Sequence, residues 1–87
     1  MGRFEKVIFK LLSGNLDNNF TFDELRNLLL SLSFEERTTV GSHHIFKKKG
    51  IIGIINIQRD KNNKAKPYQV RQIRDFLVNN QLIQDGD

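Results

Sequence analysis

The chain contains no cysteine among its 87 residues, which excludes disulfide bonds and metal sites built on thiolates. Long hydrophobic runs are also missing, since no apolar stretch approaches the roughly 20 residues needed to span a bilayer. The first residues, Met1 to Glu5, lack the hydrophobic segment of a signal peptide. We therefore expect a soluble protein that remains in the cytoplasm and has no membrane partner.

Histidine is scarce as well, and the two histidines, His43 and His44, are adjacent. Without cysteine or a cluster of carboxylates, two neighbouring imidazoles do not form a usual metal site. A chain of this length supports one small domain, which buries only about 60 to 65% of its unfolded surface. We therefore predict a single domain, residues 1–87, with no metal and no cofactor.

Positive charge is concentrated in one part of the chain. Residues 41–74 contain nine Lys and Arg against one acid, Asp60, which makes this basic segment +8. The remaining residues contain five basic and nine acidic side chains, or −4, which together account for the overall +4. A surface of one sign attracts polyanions. The alternative is a solvated basic face without a ligand.

Two helices are predicted before the basic segment. The first has an apolar stripe formed by Phe4, Val7, Ile8, Leu11 and Leu12 at helical spacing. This stripe must be buried either on the domain's own core or against another chain.

The second helix has a clear start. Thr21 and Glu24 form a capping box, and Phe20 and Leu25 form the accompanying hydrophobic staple. The helix is predicted to end near Leu32 and Ser33.

Three short stretches rich in β-branched and aromatic residues follow, at 34–39, 43–48 and 51–58. Turns at 40–42 and 49–50 would connect them as an antiparallel meander. A lysine-rich loop then leads to Pro67, which suits the first position of a final helix.

The predicted fold class is α+β. Residues 22–80 form an α-β-β-β-α core, and an added helix lies within residues 1–15. This order is similar to the double-stranded-RNA-binding fold, in which helices cover one face of a three-stranded antiparallel sheet.

Several segments resemble a known family. Residues 32–37 (LSFEER) and 41–46 (GSHHIF), together with 56–58 (NIQ) and 64–74 (KAKPYQVRQIR), are similar to motifs of HicA toxins. HicA toxins are small ribonucleases of bacterial HicA–HicB toxin–antitoxin pairs. The resemblance covers about residues 22–77.

The chain departs from the family pattern in two places. The first helix is absent from the shortest members, so the surface that contacts a partner can differ from that of those members. Asn-Ile-Gln-Arg at 56–59 replaces a Pro-Arg-His-like segment of many members, which removes a possible additional histidine.

The resemblance implies a metal-independent endoribonuclease that cleaves mRNA and is inhibited by a HicB-like antitoxin. RNA carries its own nucleophile, the 2′-hydroxyl, so cleavage needs proton transfer and stabilisation of charge on the phosphate. Histidine suits the proton transfer because its unperturbed pKa lies near cellular pH, and a positioned group contributes roughly 10²- to 10⁴-fold.

The two histidines are expected to have different roles, since neighbouring side chains on a strand point to opposite faces. His44 shares its face with Phe46, whereas His43 shares one with Ile45 and Lys47. The pattern favours His43 as the exposed catalytic residue. The resemblance also favours His43, which follows Gly-Ser as the family histidine does, and His44 is the runner-up.

The basic residues around the histidines are expected to contact the phosphate backbone of RNA. Gly41 and Ser42 either approach a phosphate or simply form the turn. Tyr68 either stacks on a base or packs at the start of the last helix. Any single lysine or arginine has the alternative of being only solvated. The candidate RNA-binding residues are Gly41, Ser42, Lys47, Lys48, Lys49, Lys64, Lys66, Arg71 and Arg74.

Two other functions fit the same sequence. One is a non-catalytic RNA-binding module of the same fold, and the other is an inactive toxin homologue that only binds an antitoxin. RNA binding without cleavage would identify the first.

Overall fold

The protein is an α+β domain with a three-stranded antiparallel sheet, as the computed structural model shows for residues 4–38 and 43–83. The predicted order of helix, helix, three strands and helix is confirmed. A 3₁₀ turn additionally separates the first two helices. The elements are α1 (Glu5–Ser13), the 3₁₀ turn (Asp17–Asn19), α2 (Phe22–Ser31), β1 (Glu35–Thr38), β2 (His43–Lys47), β3 (Ile55–Gln58) and α3 (Pro67–Asn79).

The sheet has the order β1-β2-β3, so β2 is the central strand. Glu36 pairs with Phe46, which in turn pairs with Ile55. Because side chains alternate along a strand, this register gives the sheet a covered face, where Phe46, Ile55 and Ile57 join the helices in the core. The opposite, open face carries His43, Ile45 and Lys47 of β2.

The start of α2 is the predicted capping box. The Glu24 N–H donates to Thr21 Oγ1 at 3.1 Å, and the Thr21 N–H donates to Glu24 Oε1 at 2.9 Å. These two bonds satisfy backbone donors that a helix start leaves without partners. Pro67 stands at the start of α3, as predicted.

Helix α1 packs on the domain's own core, which decides between the two alternatives for its apolar stripe. Leu11 is fully buried, and the other stripe residues pack around it. The helix ends at Gly14 in the left-handed conformation (φ 74°), which suits a residue without a Cβ. A 3.4 Å ion pair between Lys10 and Glu24 also joins α1 to α2.

The core is formed by residues from all three helices and the covered face of the sheet. No helix in the described part of the chain is long and apolar enough to cross a membrane. The largest fully buried side chains are Phe20, Phe22, Phe46, Leu11, Leu25, Leu28, Leu29, Ile55, Ile57, Ile73, Leu77 and Val70.

Strand β3 is shorter than the predicted 51–58 and begins at Ile55. Gly50 and Gly53 adopt φ of 87° and 105°, so the intervening backbone cannot continue as an extended strand. Ile52 is consequently 97% exposed. The predicted turn at 49–50 is confirmed by the Ile51 N–H bond to the Lys48 carbonyl, whereas the turn at 40–42 lies outside the described residues.

Candidate nucleic-acid interface

The two histidines lie on opposite faces of β2, as predicted. His43 is exposed on the open face, while the side chain of His44 is only 17% exposed on the covered face. His43 pairs across the sheet with Gln58, and His44 lies between Thr38 and Ile57. The same strand therefore presents one imidazole to solvent and one to the interior.

His44 belongs to a polar cluster that connects the sheet to α2. Its Nδ1 lies 2.6 Å from Glu36 Oε2, and Arg26 Nε donates to Glu36 Oε1 at 2.8 Å. The His44 ring also packs against Phe22, with 4.7 Å between ring centroids. We name Arg26, Glu36 and His44 the covered-face triad. These interactions give His44 a structural role.

His43 has an amide partner on the neighbouring strand. Its Nδ1 lies 3.4 Å from Asn56 Oδ1, a long hydrogen bond. Because an amide oxygen only accepts, Nδ1 is the donor in this arrangement, and in a neutral ring Nε2 then carries the lone pair. A histidine in that tautomer can accept a proton through Nε2.

A small cavity opens beside His43, between the open face of the sheet and the first turns of α3. Its volume is about 160 Å³. We name it the His43 cavity; its lining residues are His43, Asn56, Gln58, Tyr68, Gln69 and Gln72. The cavity thus brings β2, β3 and α3 together at one place.

Two residues at the start of α3 form one wall of the cavity. Gln69 is 3% exposed, and its Oε1 accepts the Lys66 N–H at 3.4 Å. Tyr68 is 55% exposed. Of the two alternatives for Tyr68, stacking on a base or packing at the start of α3, this exposure favours stacking.

The predicted RNA-binding residues divide into exposed side chains and side chains with structural partners. Gly41 and Ser42 lie outside the described residues. Lys47 is exposed on the same face as His43. The other exposed members are Lys49, Lys64, Lys66 and Arg71.

Lys48 is drawn into the fold. Its Nζ donates to the Leu32 carbonyl at 2.7 Å and lies 6.0 Å from the centre of the Phe34 ring. The side chain therefore attaches the end of β2 to the end of α2.

Arg74, one of the candidate RNA-binding residues, is not exposed as Arg71 is. The side chain of Arg74 is only 19% exposed, and it donates to Asp17 Oδ1 at 2.9 Å and to the Leu11 carbonyl at 3.2 Å. Three residues of α-helix rotate by about 300°, so Arg74 lies about 60° around the helix from Arg71. The 3₁₀ turn that contains Asp17 was not predicted from the sequence.

Asp60, the one acid of the basic segment, shapes the lysine-rich loop. Its Oδ1 accepts the N–H groups of Lys64 and Asn62, both at 2.8 Å. The backbone hydrogen bond from Lys64, followed by that from Asn62 and the charges of Lys66 and Lys64, holds the pKa of Asp60 below its ordinary value. The loop thus has a defined turn that positions Lys64 and Lys66.

Sequence reasoning missed the amides of the cavity. The alternation Ile55-Asn56-Ile57-Gln58 already indicates that Asn56 and Gln58 share a face. Their register opposite His43, and the approach of Gln69 and Gln72 from α3, depend on how the elements pack.

Comparisons with protein families, curated proteins and solved structures find no match for this chain. The resemblance to HicA toxins therefore rests on the chain's own motifs.

Within residues 4–38 and 43–83, no group of three or more His, Cys, Asp or Glu side chains is arranged to hold a metal ion.

Proposed function

We propose that this chain is a HicA-like toxin with a double-stranded-RNA-binding-like fold, a cytoplasmic ribonuclease that cleaves mRNA through His43. One observation carries the proposal: His43 is the histidine on the open face, beside a cavity and bonded to Asn56, while His44 is held by Glu36 on the covered face. A group that transfers a proton to or from a substrate has to be accessible to it.

His43 acts as the general base. Nε2 accepts the proton of a ribose 2′-hydroxyl, and the 2′-oxygen attacks the adjacent phosphorus. The bond from phosphorus to the 5′-oxygen breaks, and that oxygen takes a proton from water. The products end in a 2′,3′-cyclic phosphate and a 5′-hydroxyl. Asn56 keeps the ring in the tautomer that this step requires.

Charge around His43 binds the substrate backbone. Lys47 lies four residues along the same strand, about 13 Å away at 3.3 Å per residue. The exposed Lys49, Lys64, Lys66 and Arg71 add positive charge that holds phosphates without reading sequence. An acidic HicB-like antitoxin that covers this surface inhibits the enzyme by excluding RNA.

The test compares wild-type protein with His43→Ala. We expect wild-type expression to arrest growth and the purified protein to cleave mRNA in excess chelator, because no step uses a metal. His43→Ala should restore growth and abolish cleavage while RNA binding persists. Cleavage that chelator abolishes and magnesium restores would contradict the mechanism. Binding without any cleavage by the wild type would indicate an RNA-binding module instead.

A further inference from the structure

The lining of the His43 cavity differs in chemistry from the basic surface around it. Four of its six described lining residues are carboxamides: Asn56, Gln58, Gln69 and Gln72. Within residues 4–38 and 43–83, no lysine, arginine or carboxylate lines it. A phosphate is held best by cationic donors, whereas amides offer both donors and acceptors to a neutral ligand. The lining therefore matches the edge of a nucleobase better than it matches a phosphate.

The size and the wall of the cavity agree with a planar ligand. A volume of about 160 Å³ is well below that of the pockets that hold drug-sized ligands, about 300–1,000 Å³. Tyr68, one of the lining residues, is 55% exposed. Aromatic rings of this kind stack on unpaired bases.

Gln69 shows that the cavity has a fixed polar wall. Its side chain is almost wholly buried, yet it borders the cavity. The hydrogen bond to the Lys66 N–H uses only its oxygen. That bond, at the start of α3, holds the amide in place, so its nitrogen has a set position for donating to a ligand.

We propose that the His43 cavity holds one unpaired nucleobase of a single-stranded RNA, stacked on Tyr68 and hydrogen-bonded by the surrounding amides. The inference rests on the proposed function and adds the substrate class to it. A base inside a duplex is stacked and paired on both sides, so only an unpaired base can enter. With the base in the cavity, the ribose of the same nucleotide lies beside His43, and the exposed lysines hold the neighbouring phosphates.

The experiment measures the binding of ten-nucleotide 2′-O-methyl RNA, which retains bases and phosphates but has no 2′-hydroxyl to attack. Fluorescence anisotropy at one low salt concentration compares three probes. They are a mixed-sequence single strand, the same strand with abasic positions throughout, and a duplex of the same sequence. We expect the single strand to bind at least ten-fold more tightly than the abasic strand, which carries the same phosphates. The duplex should resemble the abasic strand.

Matched variants separate base binding from phosphate binding. Tyr68→Ala should weaken binding of the base-bearing strand roughly 5- to 150-fold and leave the abasic strand unchanged, whereas Tyr68→Phe retains the stacking ring and should bind as wild type. Lys47→Ala should weaken both strands by the same factor. Phe9→Ala removes another exposed aromatic ring, on α1 and outside the cavity lining, and should change neither.

Four outcomes would overturn the inference. Equal binding of base-bearing and abasic strands would leave a phosphate-binding protein without a base site, and the proposed function would stand. Tighter binding of the duplex would contradict single-stranded recognition. A free nucleoside monophosphate that binds as tightly as the strand would assign the cavity to a small nucleotide. If no probe binds even at low salt, the proposed function fails as well.

Discussion

The covered face and the open face of the sheet use polar side chains in different ways. On the covered face, His44 and Arg26 share the carboxylate of Glu36, and the side chains of His44 and Glu36 are 17% and 13% exposed. On the open face, His43 borders a cavity whose other described lining residues are neutral amides and a tyrosine. A buried polar group requires a partner, whereas a group that binds substrate must keep an accessible edge. Two adjacent histidines thus show that position on the strand, and not residue type, separates a structural imidazole from a candidate catalytic one.

The largest expected effect tests the open face. His43→Ala should lower RNA cleavage by roughly 100-fold or more, since it removes the proton acceptor. Stability should change by less than about 1 kcal/mol, because the side chain is exposed. Cleavage rates at saturating enzyme, together with thermal melts, measure both. If His43→Ala cleaves normally and a folded His44→Ala does not, the roles of the two faces are reversed.

The second prediction tests the covered face. His44→Ala should lower the free energy of unfolding by about 1–3 kcal/mol, because Glu36 loses one of its partners. Cleavage should fall only in proportion to folded protein. Combined with Arg26→Ala in a double-mutant cycle, the two effects should be non-additive by about 0.5–3 kcal/mol, since both residues bind one carboxylate. Glu35→Gln, on the open face of β1, is the control and should change stability by no more than about 0.5 kcal/mol. Strictly additive effects of the two substitutions on the free energy of unfolding would contradict the coupling within the covered-face triad.

Lys47 and Lys48 provide the third test, since they are adjacent and face opposite ways. Lys47→Ala should lower the slope of log affinity for RNA against log salt by about one. Lys48→Ala should instead destabilise the protein by about 1 kcal/mol, because the Leu32 carbonyl loses its 2.7 Å bond. Salt titrations and denaturant melts distinguish the two. A salt slope that depends on Lys48 and not on Lys47 would place the RNA on the other face.

The smallest expected effect concerns Asp60 and acid. Its folded-state pKa lies below the ordinary 3.8, so the bonds to Lys64 and Asn62 stabilise the protein above that value. This contribution is lost as the pH falls through the lowered folded-state pKa. The melting temperature of the wild type should therefore fall further on acidification than that of Asp60→Asn, whose neutral side-chain oxygen still accepts both hydrogen bonds. Equal acid sensitivity of the two proteins would show that the carboxylate charge contributes nothing to the loop.

The order of the elements could be predicted from the sequence because interactions between neighbouring residues specify it. Thr21 and Glu24 satisfy each other's backbone donors within three residues, and Pro67 favours a helix start by its own geometry. The alternation of side chains along β2 likewise predicted that His43 and His44 lie on opposite faces. The start of β3 was wrong because periodicity alone did not reveal that Gly50 and Gly53 take positive φ.

The candidate site depended on tertiary structure. Which face of β2 is covered follows from where α2 lies, and the motifs alone favoured His43 without placing Glu36 and Arg26 beside His44. The amides of the cavity come from β3 and α3, which lie well apart in sequence and meet only because the core packs them together. Arg74 has the same charge as Arg71 but is turned inward by Asp17 of a 3₁₀ turn 57 residues away. Sequence by itself determined the order of the helices and strands and the charge of the basic segment, because these are set by neighbouring residues. The accessibility of each side chain was decided by packing, because burial depends on which distant elements cover it.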